Sequence, residues 1–137
     1  MENNNNGLRM YFFCLRQLSG LDKGIQAGHA ALEYANLFRD DTTYNTFVND
    51  HKTFILLNGG GSDDIMDREV ELREFNIPFA SFIEPSLNYA TSAIAFIVPE
   101  SIYGMTPNTP SWFDGYSRDK KDYEIAAWLK SFRLASN

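Results

Sequence analysis

Apolar positions fall into short runs and helical stripes that alternate along the chain. Met10, Tyr11, Phe12, Phe13, Cys14 and Leu15 form an unbroken, aromatic-rich run, the pattern of a strand covered on both faces. The polar stretch 16–23 carries the chain out of the sheet. Over 21–39, Ile25, His29, Leu32 and Asn36 recur at helical spacing. Ala27, Gly28, Ala30, Ala31 and Ala35 keep that profile slim, which predicts a helix lying close on a sheet. Residues 53–57 read as a second strand, followed by a turn through Asn58, Gly59, Gly60 and Gly61. Ser62 is placed to cap the next helix, with Asp63 and Asp64 in its first turn and Ile65, Glu69, Leu72 and Phe75 continuing its period. Pro78 follows the end of that helix.

Two more strands are expected at 79–83 and 92–98, so the order is strand, helix, strand, helix, strand, strand. That order specifies a layered α/β domain with at least one antiparallel pair. Beyond Pro99 the chain turns irregular through Gly104, Pro107, Pro110 and Gly115. A last helix is expected over 119–132, with Tyr123, Ala126, Ala127 and Leu129 facing inward. Residues 1–8, with four consecutive asparagines, read as a loose extension. Residues 9–137 read as one domain that includes a C-terminal extension, 99–137, for no repeat or long linker divides the chain.

Composition narrows the class of protein. The 137 residues suffice for one core, and 44% hydrophobic with 15% aromatic content excludes disorder for the bulk of the chain. Twelve Lys and Arg against 18 Asp and Glu leave a net charge of -6, so long-range attraction to a polyanion is not favoured. A nucleic-acid role then needs a local site. Cys14 is the sole cysteine, which forbids an internal disulfide or a Cys-based zinc cluster and fits a reducing cytosol. No apolar run reaches the length of a membrane span and the opening residues lack a signal-peptide pattern, so a cytoplasmic protein without membrane contact is expected.

Generic motifs contribute little. The Gly59 to Gly61 triplet precedes a helix, but it matches neither phosphate-binding fingerprint and Asp63 and Asp64 oppose an anion. A plain tight turn is the expectation. His29 and His51 belong to no metal pattern, so no metal is expected. A Cys14–His29 dyad would require the strand end and helix start to converge, and a buried inert thiol is the commoner outcome. Asp63, Asp64, Asp67, Glu69 and Glu71 read as a solvated helix face. Gln26, His29 and Glu33 are spaced to lie along one edge of the first helix, where a hydrogen-bonded histidine at the helix–sheet junction is the plain reading.

Several segments, taken in order, resemble the archaeal and eukaryotic type of peptidyl-tRNA hydrolase. They are Arg16 and Leu18; Lys23-Gly24-Ile25-Gln26-Ala27-Gly28-His29-Ala30-Ala31; His51-Lys52-Thr53-Phe54-Ile55-Leu56; Phe79-Ala80-Ser81-Phe82-Ile83-Glu84; and Thr91-Ser92-Ala93-Ile94-Ala95-Phe96. The resemblance covers about residues 9–100. It implies a three-layer α/β/α sandwich around a four-stranded mixed sheet, and metal-independent hydrolysis of the ester joining a peptide to the terminal ribose of tRNA. No cofactor is implied, and the partner is the tRNA 3′ end.

Carried over residue by residue, the resemblance implies a catalytic set of Gln26, His29, Lys52, Glu84 and Thr91. Gln26 and His29 match the family's Gln-x-x-His helix motif, and Lys52 matches a lysine leading the second strand. Glu84 stands where the family has an aspartate, and Thr91 lies near a threonine preceding the last strand. Glu84 would orient or deprotonate a water while Lys52 and Gln26 hold the ester or its developing oxyanion. Arg16 and Lys23 would contact terminal phosphates. Aligned on Gln26, Asp22 takes the place of the family's helix lysine, and Lys23 comes one position later.

A different class of function, a binding or regulatory module on the same scaffold without hydrolysis, predicts the same sheet with Glu84 paired away from any substrate-sized cleft, or with the cleft filled by Trp112 and its Pro-rich surroundings. Tyr103, Trp112, Phe113 and Tyr116 would stack on bases in one reading and pack the terminal segment in the plainer one. The aromatic tail also leaves a symmetric homodimer open.

Overall fold

The computed structural model describes residues 7–105 and 117–136. The aromatic-rich run forms β1 (Arg9–Cys14), followed by α1 (Gly20–Phe38), α2 (Thr42–Asp50), β2 (Thr53–Asn58), α3 (Ile65–Glu74), β3 (Phe79–Glu84), a 3-10 turn (Pro85–Leu87), β4 (Ala90–Val98), α4 (Glu100–Tyr103) and α5 (Ser117–Lys130). The sheet order is β2-β1-β4-β3, with β1 parallel to β2 and β4 antiparallel to both of its neighbours. This is the expected four-stranded mixed sheet of an α/β fold.

Side chains of β1 and β4 alternate between two cores because successive strand residues face opposite ways. Met10, Phe12 and Cys14, with Ala93, Ala95 and Ile97, lie under α1 and α2. Tyr11 and Phe13, with Ile94, Phe96 and Val98, meet Ile65 and Leu72 of α3 and Leu129 of α5. Helices therefore cover both faces, giving the three layers of an α/β/α sandwich. Phe12, Phe13 and Phe96 are fully buried, and burying each such ring is worth about 1.5–3 kcal/mol. Among the described residues, no helix is long and apolar enough to cross a membrane.

Several expectations about faces and ends are corrected. The inward face of α1 carries Lys23, Gln26, Ala27, Ala30 and Tyr34, whereas Ile25 and Leu32 are 47% and 70% exposed and His29 is exposed. Over Met10 and Phe12 the middle of the helix approaches on Ala27 and Ala30, with the larger Lys23, Gln26 and Tyr34 towards its ends. The polar segment after α1 is itself helical, capped by the Asp41 side chain accepting from Tyr44 N, with Phe47 as its one buried residue. Ser62 does not cap α3; the Gly61 carbonyl accepts from Asp64 N and Ile65 N, and Ser62 Oγ accepts from Gln17. In α5, Ile125, Ala126 and Leu129 are buried, Tyr123 is half-buried and Ala127 is exposed.

The chain ends are also more integrated than expected. Gly7, at φ 77°, packs against the His51 ring, and its carbonyl accepts from Tyr103 Oη at 2.7 Å. Part of the expected loose 1–8 segment is therefore anchored. The Arg9 guanidinium lies 4.0 Å over the Tyr103 ring, so Tyr103 packs rather than offering a free stacking face. Trp112, Phe113 and Tyr116 lie outside the described residues. The extension beyond Pro99 supplies Trp128, Leu129 and Phe132 to the second core, and residues 133–135 run antiparallel along the outer edge of β2, where Asn58 N donates to Arg133 O and Ala135 N to Leu56 O.

Candidate functional site

A polar cluster forms where the start of α1 meets the end of β3 and the beginning of β4. Ser19 caps α1 by accepting from Asp22 N, which sets the first turn over the end of β1. One turn further, Gln26 points inward. Its Nε2 donates to Glu84 Oε1 at 2.9 Å, and its Oε1 accepts from Ser92 Oγ at 2.6 Å. Ser92 Oγ also lies 3.3 Å from the Phe82 carbonyl.

Ser92 reaches Gln26 because the β3–β4 register shifts at this point. Phe82 pairs with Ala93 and Ile83 with Thr91, so Ser92 is the extra residue of a β-bulge. A bulge re-aims the side chain it carries. Strict alternation would turn Ser92 toward α3 and α5, with Ile94 and Phe96; the bulge turns it to α1 instead. Ser92 is 0% exposed. It is the residue that sequence reasoning missed, having named Thr91 beside it. Thr91 is buried opposite Ile83 and does not join the hydrogen-bonded chain.

Glu84 terminates that chain at the surface. Its Oε2 accepts from Ser86 N at 3.1 Å, across the turn that follows β3. The Ser86 backbone N–H and then the Gln26 amide hold its carboxyl below the usual carboxylate range, with a smaller contribution from His29, against some desolvation. Glu84 is therefore ionised at neutral pH. His29, one turn beyond Gln26 on α1, stacks on Phe82 of β3 at 4.6 Å between centroids. Its ring is exposed, so an imidazole and a carboxylate share one solvent-facing rim.

Other nominated residues lie elsewhere or are already engaged. Lys23 is 4% exposed, and its Nζ donates to the Ser136 carbonyl at 2.5 Å, so the C-terminal segment covers it. Arg16 is exposed and lies against the glycine turn, where a Cβ added to Gly61 would sit 3.1 Å from Nη2. Lys52 stands before β2, at the opposite edge and opposite end of the sheet from Glu84. Three strand spacings across and about eight residues along put it roughly 30 Å away. The structure thus brings together Gln26, His29 and Glu84, adds Ser92, and separates Lys52.

The thiol and glycine alternatives resolve plainly. Cys14 is fully buried, burial raises its thiol pKa to about 12, and Sγ points to the Lys23 carbonyl at 4.0 Å. A Cys14–His29 dyad does not form. In the glycine triplet, Gly59 N donates to Cys14 O and Gly60 N to Asn58 Oδ1, while Gly60 O accepts from Arg16 N. The triplet is a turn that ties the ends of β1 and β2, with Gly60 at φ 99°. Among the described residues, no group of three His, Cys, Asp or Glu side chains is arranged to hold a metal ion. In comparisons with known proteins, the chain matches no family model and no curated protein.

Proposed function

We propose that the Gln26–Glu84 end of the sheet receives the acylated 3′ end of a tRNA and hydrolyses its ester, as the resemblance to the archaeal and eukaryotic type of peptidyl-tRNA hydrolase implies. The observation that supports this reading is convergence. Gln26 and Glu84 are 58 residues apart and meet in one hydrogen-bonded cluster, with His29 beside them on the same rim. In this reading the ionised Glu84 accepts a hydrogen bond from the attacking water and orients it. Gln26 is a positioning residue that fixes the carboxylate. His29 is the exposed ring beside the carboxylate, held on the rim by its stacking on Phe82.

A second reading, a binding module without hydrolysis, draws on the cations. The Lys23 ammonium is covered by the Ser136 carbonyl and Lys52 stands at the far end of the sheet. Arg16 is exposed, but it lies against the glycine turn that ties β1 to β2.

The deciding experiment measures peptide release from an N-blocked aminoacyl-tRNA by the purified protein with chelator present, comparing wild type with Glu84→Gln. Turnover that falls about a hundredfold or more in the variant supports hydrolysis. No turnover by folded wild-type protein overturns it, and retention of the tRNA in the same preparation would then establish the binding module.

A further inference from the structure

Lys52 is remote from the polar cluster, but it stands at a cavity of its own. A cleft of about 260 Å³ opens between α1, α2 and the β2 edge of the sheet, lined by Met10, Ala31, Tyr44, Phe47, Phe54 and Lys52, with Val48 at its side. It exists because α2 is nine residues long and buries only Phe47, so the helix cannot fill the space beneath it. Phe47 and Phe54 lie parallel at 6.3 Å, and Phe54 is 47% exposed. Phe54 thus gives the cleft an aromatic wall open to solvent, with the buried Phe47 ring behind it.

Two features of Lys52 point to an anion at the mouth. The first is conformational. His51 N and Lys52 N both donate to the Phe47 carbonyl at the end of α2, and Lys52 sits there at φ 64°. This left-handed position after a helix ordinarily holds Gly or Asn, and a long L-residue there costs about 1 kcal/mol or more. Glycine would relieve the strain but would remove the side chain from the mouth. The second is electrostatic. The Lys52 side chain is exposed, and among the described residues no carboxylate forms an ion pair with it, the nearby Asp50 included. A cation held at some conformational cost, unpaired, at the rim of a ring-lined cleft is complementary to a small molecule with an aromatic body and a negative head.

We propose that this cleft is a binding site for a small aromatic carboxylate, its ring against the exposed Phe54 and its carboxylate on the Lys52 ammonium. The site is separate from the Gln26–Glu84 cluster and independent of the tRNA reading. The test is a titration of 15N-labelled full-length protein, followed by amide chemical shifts, with 3-phenylpropionate and in parallel with its uncharged amide, 3-phenylpropionamide. Saturable shifts confined to residues around the cleft are expected, with the carboxylate bound about two- to fivefold more tightly, the worth of one exposed ion pair. Lys52→Met should abolish that preference, and Ala31→Leu, which fills the cleft, should weaken both probes. Lys52→Gly should likewise lose the preference while raising Tm, which separates a ligand role from a stabilising one. Absence of saturable shifts with either probe overturns the site. Equal affinity for acid and amide, or a preference retained in Lys52→Met, overturns its anionic assignment.

Discussion

Replacing Ser92 by alanine tests whether the polar cluster is a single unit. The substitution removes one hydroxyl from a fully buried position and leaves Gln26 Oε1, itself in an almost buried residue, without its donor at 2.6 Å. A buried acceptor left unpaired costs about 1–3 kcal/mol. The deleted oxygen is too small for its cavity to add much. We therefore expect a loss of about 2 kcal/mol, or a fall in Tm of roughly 6–10 °C for a chain of this size. Urea unfolding should show a lower midpoint at unchanged m-value. In a Gln26→Leu background the acceptor is already gone, so the same substitution should cost much less, with a coupling of about 1 kcal/mol or more. Freed from Ser92, the Gln26 amide should hold Glu84 less firmly. The Glu84 carboxyl should then titrate closer to the ordinary carboxylate range when followed by 13C side-chain shifts. A loss below about 0.5 kcal/mol, or equal losses in both backgrounds, would refute the linkage of these three side chains.

Three further outcomes follow from the same contacts. Because the Glu84 carboxyl is held below its ordinary range in the folded state, its stabilisation is fully present above the unfolded carboxyl value of about 4.3 and is lost as pH falls through the folded value. Acid unfolding of Glu84→Gln should accordingly be less steep than that of wild type below that point, as read by circular dichroism. Cys14, with its pKa raised to about 12 by burial, should not react with a thiol-specific disulfide reagent at pH 8 until the protein is unfolded; rapid native-state labelling would contradict the burial. Gly59→Ala would place a Cβ 2.9 Å from Phe13 Cβ, within a core that cannot yield, and should lower stability by about 1–3 kcal/mol in urea titrations.

The strands were legible because the rings and β-branched residues of 9–14, 53–58, 79–84 and 90–98 stand between Gly, Pro and polar breaks. The inward face of α1 was not. A stripe of large apolar residues is the usual sign of a buried helix face, but over Met10 and Phe12 the helix approaches on Ala27 and Ala30, and Ile25 and Leu32 are turned out. Nor does α2 show a stripe, since Phe47 alone is buried; Asp41, as a capping residue before a helix, was the available signal. Gln26, His29 and Glu84 could be nominated from motif order, whereas Lys23 reads as an available cation until the contact from Ser136, 113 residues later, is known.

Ser92 was hidden for a deeper reason. Its role depends on one extra residue in the pairing of β4 with β3, and side-chain direction in a strand follows register, not composition. With regular pairing, Ser92 would leave Gln26, whose amide would then lack the partner opposite Glu84. The cluster is therefore a product of strand register as much as of residue identity. It is held from behind by the Phe82 carbonyl and the Ser86 N–H, two backbone groups that side-chain substitution leaves in place. Substitutions within the cluster should thus alter its chemistry and local stability while preserving the sheet, whereas a change that regularises the bulge should dissolve the cluster even with every side chain retained.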